Sequence, residues 1–250
     1  MSDPVRALVT RPADDAAETA ARLRTMGIEP VVAPVTRIER VKSATLDLDG
    51  TQAVLATSGN GVRALAGATA HRDIRLLAVG DSTAAVARKA GFRSVASAGG
   101  ASDDLVKLAG AMLDPASGRL VHAAGEAAGD ALCQALAARG FEAAPAVLYR
   151  AVPLPLSAGA RQLLAAGGIA YALFLSAGAA RVFADLLRDE RAERWCGPMI
   201  AFCLSEQVAE AAAVLPWGAI RRAARPDMPS LLATVGAALD GSHRPHRMRV

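Results

Sequence analysis

The sequence predicts an α/β protein with parallel sheets, built as two similar lobes. Three observations carry this reading. Strand-like apolar runs alternate with helical patterns along the whole chain, as they do where helices cross over between parallel strands. The chain repeats itself in the order A-B-A′-B′. The turns that hand a strand over to a helix are nearly all small or hydroxylic.

The elements follow in order. A strand ending in "VTRP" leads to a helix around Asp14 to Met26, with Ala16, Ala20 and Leu23 on one face. That helix stops at Gly27, a residue free to take positive φ. An apolar segment then runs to Arg37. "AVLATSGNGVRAL" reads as strand, turn and helix. So does "LLAVGDSTAAVARKAGF" (76–92), where the apolar run breaks at Gly80 and the helix closes at Gly91. After "GGASDD", Ser102 is the expected N-cap, with Asp103 and Asp104 in the first turn and Leu105, Leu108 and Met112 as the buried stripe. Residues 119–150 then repeat the pattern of 6–37: Leu136 and Gly140 match Leu23 and Gly27, and Arg150 matches Arg37. "YALFLSAGAARVF" repeats "AVLATSGNGVRAL", setting Ser176 against Ser58, and "CLSEQVA" repeats "AVGDSTA", setting Ser205 against Gly80. Nothing in the repeats says whether A pairs with B or with B′. The charge-free stretch Gln162–Ala180 is long enough to span a bilayer, but Gly167-Gly168 interrupts it. A helix end, a turn and a buried strand explain it better.

Composition narrows the function. The 250 residues are 52% hydrophobic and 21% charged, enough for a large core. Aromatics make up 4%, too few for stacking on single-stranded nucleic acid. The net charge is +4, of which Arg244, Arg247 and Arg249 in the last seven residues supply three. The basicity therefore reads as a solvated tail, and no nucleic-acid partner is expected. Cys133, Cys196 and Cys203 lack CxxC spacing and read as reduced core thiols of a cytoplasmic protein. The start has no signal-peptide pattern, and no membrane association is expected.

The turns carry the chemistry. Ligands of parallel α/β sheets sit beyond the carboxyl ends of the strands, where helix starts offer free N–H groups. Those turns read "TRP" (10–12), "TSGNG" (57–61), "GDSTA" (80–84), "AAGEAAG" (123–129), "LSAGA" (175–179) and "LSEQVA" (204–209). They suit several carboxylates or phosphates held by neutral donors, with glycine allowing close approach and Ser or Thr adding a hydroxyl. The same residues are also ordinary helix caps. Candidate binding residues are Thr10, Arg11, Thr57, Ser58, Gly59, Asn60, Gly80, Thr83, Ala84, Gly125, Ser176, Ala177, Gly178 and Ser205. The P-loop and GxGxxG fingerprints are absent, which argues against nucleoside triphosphates and NAD. No His, Cys and acid combine at metal-ligand spacing, so no metal is expected, and no GxSxG elbow is present. His122 ends a strand and reads as a structurally satisfied histidine, Glu126 as a solvated loop residue. Tyr149, one of two tyrosines, is a candidate hydrogen-bond donor.

Taken together, "VTRP", "GIEPVVAPVTRIE", "LATSGNGV", "AVGDSTAAVARKAGF", "ARGFEAAPAVLYRAVP" and "LFLSAGAARVF" give the chain a resemblance to the uroporphyrinogen-III synthase family over about residues 5–240. The resemblance implies two flavodoxin-like parallel-sheet domains joined by a two-stranded linker, with the substrate in a cleft between them. It pairs A with B′ and B with A′. The implied layout is a discontinuous domain of 1–36 and 152–242, an inserted domain of 40–147, linker strands at 37–39 and 148–151, and a disordered basic tail at 243–250. It implies a monomeric lyase without cofactor that cyclises the linear tetrapyrrole hydroxymethylbilane, inverting the last ring and losing water. The intermediate would be a spirocyclic pyrrolenine. Thr83, Ser58 and Ser176 match hydroxyl positions of the family, and Tyr149 matches a tyrosine implied to help the hydroxyl leave. The second G-x-x-T-A is here "SEQVA", with Val208 for threonine and Ser205 for glycine, and Ala124 stands where many relatives carry arginine. A non-catalytic two-lobed protein binding an anionic small molecule is the alternative that the turns alone leave open.

Overall fold

The computed structural model describes residues 4–42 and 46–240; the expected basic tail lies outside these. The first repeat block is β1 (Arg6–Val9), α1 (Ala13–Thr25) and β2 (Glu29–Val32), followed by β3 (Thr36–Arg40). The second holds β4 (Thr51–Ala56), α2 (Gly59–Ala68), β5 (Arg75–Ala78), α3 (Asp81–Lys89), β6 (Val95–Ser97) and α4 (Ser102–Met112). The third is β7 (Arg119–Gly125), α5 (Ala131–Ala137) and the long β8 (Ala143–Pro153). The last runs α6 (Ala158–Ala165), β9 (Tyr171–Phe174), α7 (Ala177–Asp189), β10 (Ile200–Cys203), α8 (Glu206–Ala212), β11 (Ala219–Arg222) and α9 (Met228–Asp240).

The chain divides into two compact units. One joins the segment up to Arg37 with that from Val152 onward, and the other is Ile38–Ala151. The first unit's sheet has the order β11-β10-β9-β1-β2, and its neighbours all pair in parallel. The second unit's sheet has the order β3-β8-β7-β4-β5-β6, parallel from β8 to β6. When A is matched with A′ and B with B′, the orders β11-β10-β9-β1-β2 and β6-β5-β4-β7-β8 coincide strand for strand. The units are cyclic permutants of one doubly wound plan, and each consists of one block of each kind. At the outer edge, Val41 N donates to Leu148 O, and Leu154 N donates to Val35 O. The two partner numbers add to the same total, as they must where β3 and β8 run antiparallel.

The inner strands β1, β9 and β10 of one sheet and β4, β5 and β7 of the other are buried on both faces, which is why they read as continuous apolar runs, while the edge strands are partly exposed. In the first unit, Leu8, Ala172, Phe174 and Ala201 pack under α6, α7 and α8, with Phe183 of α7 among them. Ala7, Val9, Tyr171, Leu173 and Phe202 pack against Leu23 of α1 and Leu231 and Val235 of α9. In the second unit, Val54, Ala56, Leu76 and Val121 meet α2 and α3, while Ala53, Leu55, Leu77 and Leu120 meet α4 and α5. Helix ends follow the glycine signals: Gly27, Gly91 and Gly140 have φ of +74°, +92° and +85°. The charge-free stretch resolves into the end of α6, a turn through Gly167 (φ +66°), β9 and the start of α7. Among the described residues, no helix is long and apolar enough to cross a membrane.

Two local expectations are corrected. The N-cap of α4 is Ala101, without a side-chain cap, and Ser102 is already helical. The buried stripe of α4 is Leu105, Val106 and Ala109, and Met112 is 44% exposed. The helix starts one residue earlier than its serine suggests, and its last turn runs off the edge of the apolar face.

Candidate functional site

In a doubly wound sheet, a ligand crevice opens where the strand order reverses. In the second unit that point lies between β4 and β7. In the first it lies between the matching strands β9 and β1. Of the helices that start beside these points, α2 and α7 are the matching members of B and B′, and α5 and α1 those of A′ and A. Ser58 is the N-cap of α2 and its Oγ accepts from Gly61 N at 3.1 Å. Ser176 is the N-cap of α7 and its Oγ accepts from Ala179 N at 3.2 Å. Neither helix has an acidic residue in its first turn. By contrast, α1 (Asp14, Asp15), α3 (Asp81), α4 (Asp103, Asp104) and α8 (Glu206) do. Acids there satisfy the positive end of a helix dipole from within the chain; α5, α6 and α9 lack them as α2 and α7 do, but of these five only α2 and α7 pair that feature with a serine N-cap directly after a central strand.

Around α2 the residues converge. Tyr149 reaches across from β8, and its Oη lies 3.0 Å from Ser58 Oγ. The approach depends on Gly125, which faces Tyr149 at an irregularity in the β7–β8 ladder. A Cβ on Gly125 would lie 2.7 Å from Tyr149 Cζ. Tyr149 O accepts from Glu126 N at 2.8 Å, while the Glu126 side chain is exposed. His122 is not at the strand end, as expected from sequence, but mid-strand in β7 and 3% exposed. Its Nε2 lies 3.1 Å from Thr57 Oγ1, and burial holds the imidazole below the usual histidine range. Thr57, Ser58, Gly59, Gly125 and Tyr149 thus share one corner of the second unit.

Other candidates sit differently. Thr10 is fully buried and donates its hydroxyl to Leu173 O at 3.0 Å, so its donor ties β1 to β9. Arg11 donates to Thr19 Oγ1 at 3.1 Å and lies 3.6 Å from Asp15, both on α1. Asn60 Oδ1 accepts from Arg63 at 2.6 Å, within α2. Thr83 is 7% exposed and shares the buried side of α3 with Ala84 and Ala87. Gly80, the N-cap of α3, lies against Gly100, whose Cα would be 3.3 Å from an added Cβ. Ser205 is the N-cap of α8 without a side-chain bond, in the same extended backbone as Gly80. Ala177 and Gly178 open α7, and a Cβ on Gly178 would meet nothing. Of the family departures, Val208 is a buried core residue and Ala124 is buried in β7. Sequence reasoning missed the Thr57–His122 pair, the Gly125–Tyr149 approach, and the matched arginines Arg63 and Arg181 one turn into α2 and α7. The aligned repeat strings held a signal for the last.

Fold and turns define a class: a two-unit, doubly wound α/β protein with one of two matched, serine-capped helices, α2 or α7, starting at each switch point. The family model described as uroporphyrinogen-III synthase HemD matches residues 17–233, and the chain belongs to that family, whose members are lyases of haem biosynthesis that need no cofactor. The fold is that of solved members. A mutant uroporphyrinogen III synthase from the extremely thermophilic bacterium Thermus thermophilus has a TM-score of 0.56 at 21% identity, covering 94% of this chain and 99% of that one. The Helicobacter pylori enzyme has a TM-score of 0.60 at 14% identity, covering 95% and 100%. A comparison with curated proteins finds no match.

Proposed function

We propose that the helix starts of α2 and α7 take carboxylates of linear hydroxymethylbilane and that Tyr149 helps its terminal hydroxyl to leave. The observation that carries this is the pairing of Tyr149 Oη with Ser58 Oγ, 3.0 Å apart, at a helix start with no acid in its first turn. Ser58 Oγ accepts from Gly61 N, and in this reading it gives its own proton to Tyr149 Oη, which positions the phenol and leaves the Tyr149 proton for the leaving oxygen. That proton goes to the leaving oxygen, the C–O bond breaks, and water departs. The pyrrole nitrogen's electrons make the remaining carbon an electrophilic azafulvene. Attack by the substituted carbon of the last ring gives a spirocyclic pyrrolenine, and its rearrangement and loss of a proton give the inverted macrocycle. The proton lost at closure balances the one Tyr149 gave.

Holding the bilane folded is the larger task, because closure without guidance uses the unsubstituted carbon. Positioning contributes up to about 7–11 kcal/mol in favourable cases, so few acids and bases are needed. The test is incubation with freshly prepared hydroxymethylbilane and separation of the product isomers. Isomer III is expected; only isomer I, the product of spontaneous closure, would refute the reading.

A further inference from the structure

His122 poses a problem of proton placement. It lies in β7, 3% exposed, and its Nδ1 has no hydrogen-bond partner while Nε2 faces Thr57 Oγ1 at 3.1 Å. Its neighbour across the ladder is Pro145 of β8, which has no N–H to offer. On the other side it pairs with Leu55 of β4, two residues before Thr57 and on the same face of the sheet.

Burial keeps the ring neutral, so one nitrogen carries a proton. A proton on Nδ1 would leave a buried N–H without an acceptor and oblige Thr57 to donate into Nε2. A proton on Nε2 leaves only a lone pair unmatched at Nδ1, and Nε2–H donates to Thr57 Oγ1. Buried donors without acceptors are the rarer and costlier defect, which selects the second arrangement. Thr57 is half-buried, and its hydroxyl then has its acceptor role met from inside the sheet and its own proton directed elsewhere. It stands immediately before Ser58, at the helix start that carries no acid.

We infer that His122 is a positioning residue that fixes Thr57 as a hydrogen-bond donor to a carboxylate of the substrate. This rests on the reading in which the start of α2 binds such a carboxylate. It assigns polarity to one contact: Thr57 gives a proton there and receives none.

The test combines a spectrum with a set of variants. Nitrogen-15 correlation spectra of the histidine rings in the wild-type protein should show His122 protonated at Nε2; protonation at Nδ1 overturns the inference. With hydroxymethylbilane as substrate, His122→Leu and Thr57→Val should each raise KM about ten- to a hundredfold, the worth of a hydrogen bond to a charged group, with kcat little changed. The double variant should be no worse than either single one. His122→Gln, which keeps an N–H at a similar reach, should regain most of the loss. Equal losses in His122→Gln and His122→Leu, or additive losses in the double variant, would overturn it. Should His122→Leu fail to melt cooperatively, the spectrum and His122→Gln decide. Wild-type protein that forms only isomer I would fail the underlying reading without touching the tautomer result.

Discussion

Tyr149 stands where it does because residue 125 has no side chain, and this separates two kinds of glycine at the site. A Cβ on Gly125 would lie 2.7–2.8 Å from the Tyr149 ring, which can swing away. Gly125→Ala should therefore keep most of its stability while losing activity along with the Ser58 contact. A Cβ on Gly61 would lie 2.5 Å from the Ala123 carbonyl oxygen, which is backbone and cannot yield cheaply. Gly61→Ala should lower the melting temperature, because it pushes α2 off β7. Tyr149→Phe tests the acid role itself. A fall in kcat of about 10²–10⁴-fold at nearly constant KM is expected, the usual worth of general acid assistance, and unchanged kcat would leave the tyrosine structural. His122 sets a pH dependence. Its pKa is lowered by burial, so the unfolded chain takes up the proton first and stability falls as pH drops below about 6.5. That loss continues until pH passes the folded-state value. His122→Gln should flatten this part of an acid-denaturation series, which urea midpoints at successive pH values would measure.

At the scale of elements, the closing glycines make the sharpest test. Gly27 and Gly140 occupy matching places with φ of +74° and +85°, and an added Cβ would meet nothing at Gly27 and only Pro115, at 3.7 Å, at Gly140. Alanine at either should cost about 1–2 kcal/mol through the left-handed backbone alone, read as a drop in urea midpoint. The three thiols are the converse case, since burial raises all of them and pushes Cys196 and Cys203 up to about 12. Native protein at pH 8 should resist alkylation until it is unfolded. Strand and helix order, the glycine stops and the repeats were legible because they depend on neighbours along the chain. What was not legible depends on neighbours across a sheet. Thr10 reads as a free donor until β9 brings Leu173 O beside it, and His122 reads as a strand end until β7 continues to Gly125. Gly61 is one glycine of the turn "TSGNG" in sequence, and only the fold shows that it makes room for Ala123 O. Ser58 was legible as a hydroxyl at a turn, but its partner Tyr149 lies 91 residues on.

For the whole molecule, we propose that residues 40–147 form an autonomous domain inserted into one assembled from 1–36 and 152–242. Each sheet is centred on a pair from distant blocks, β4 with β7 and β1 with β9. A fragment of 40–147 should then melt cooperatively by circular dichroism. A fragment of 1–120 should not, since it keeps β1 and β4 but loses β9 and all of β7 beyond its first two residues. A cooperatively melting 1–120 would point to lobes that follow one another along the chain.

The pairing of β1 with β9 also sets an order of events during synthesis. β1 and β2 are made before the strands of the second unit, yet the strand that flanks β1 on its other side begins at Tyr171. At about 5–20 residues per second, β1 waits roughly seven to thirty seconds for that neighbour. The second unit, Ile38–Ala151, is complete before that wait ends. On the proposal that 40–147 is autonomous, the nascent chain carries one finished sheet while β1 still waits for β9.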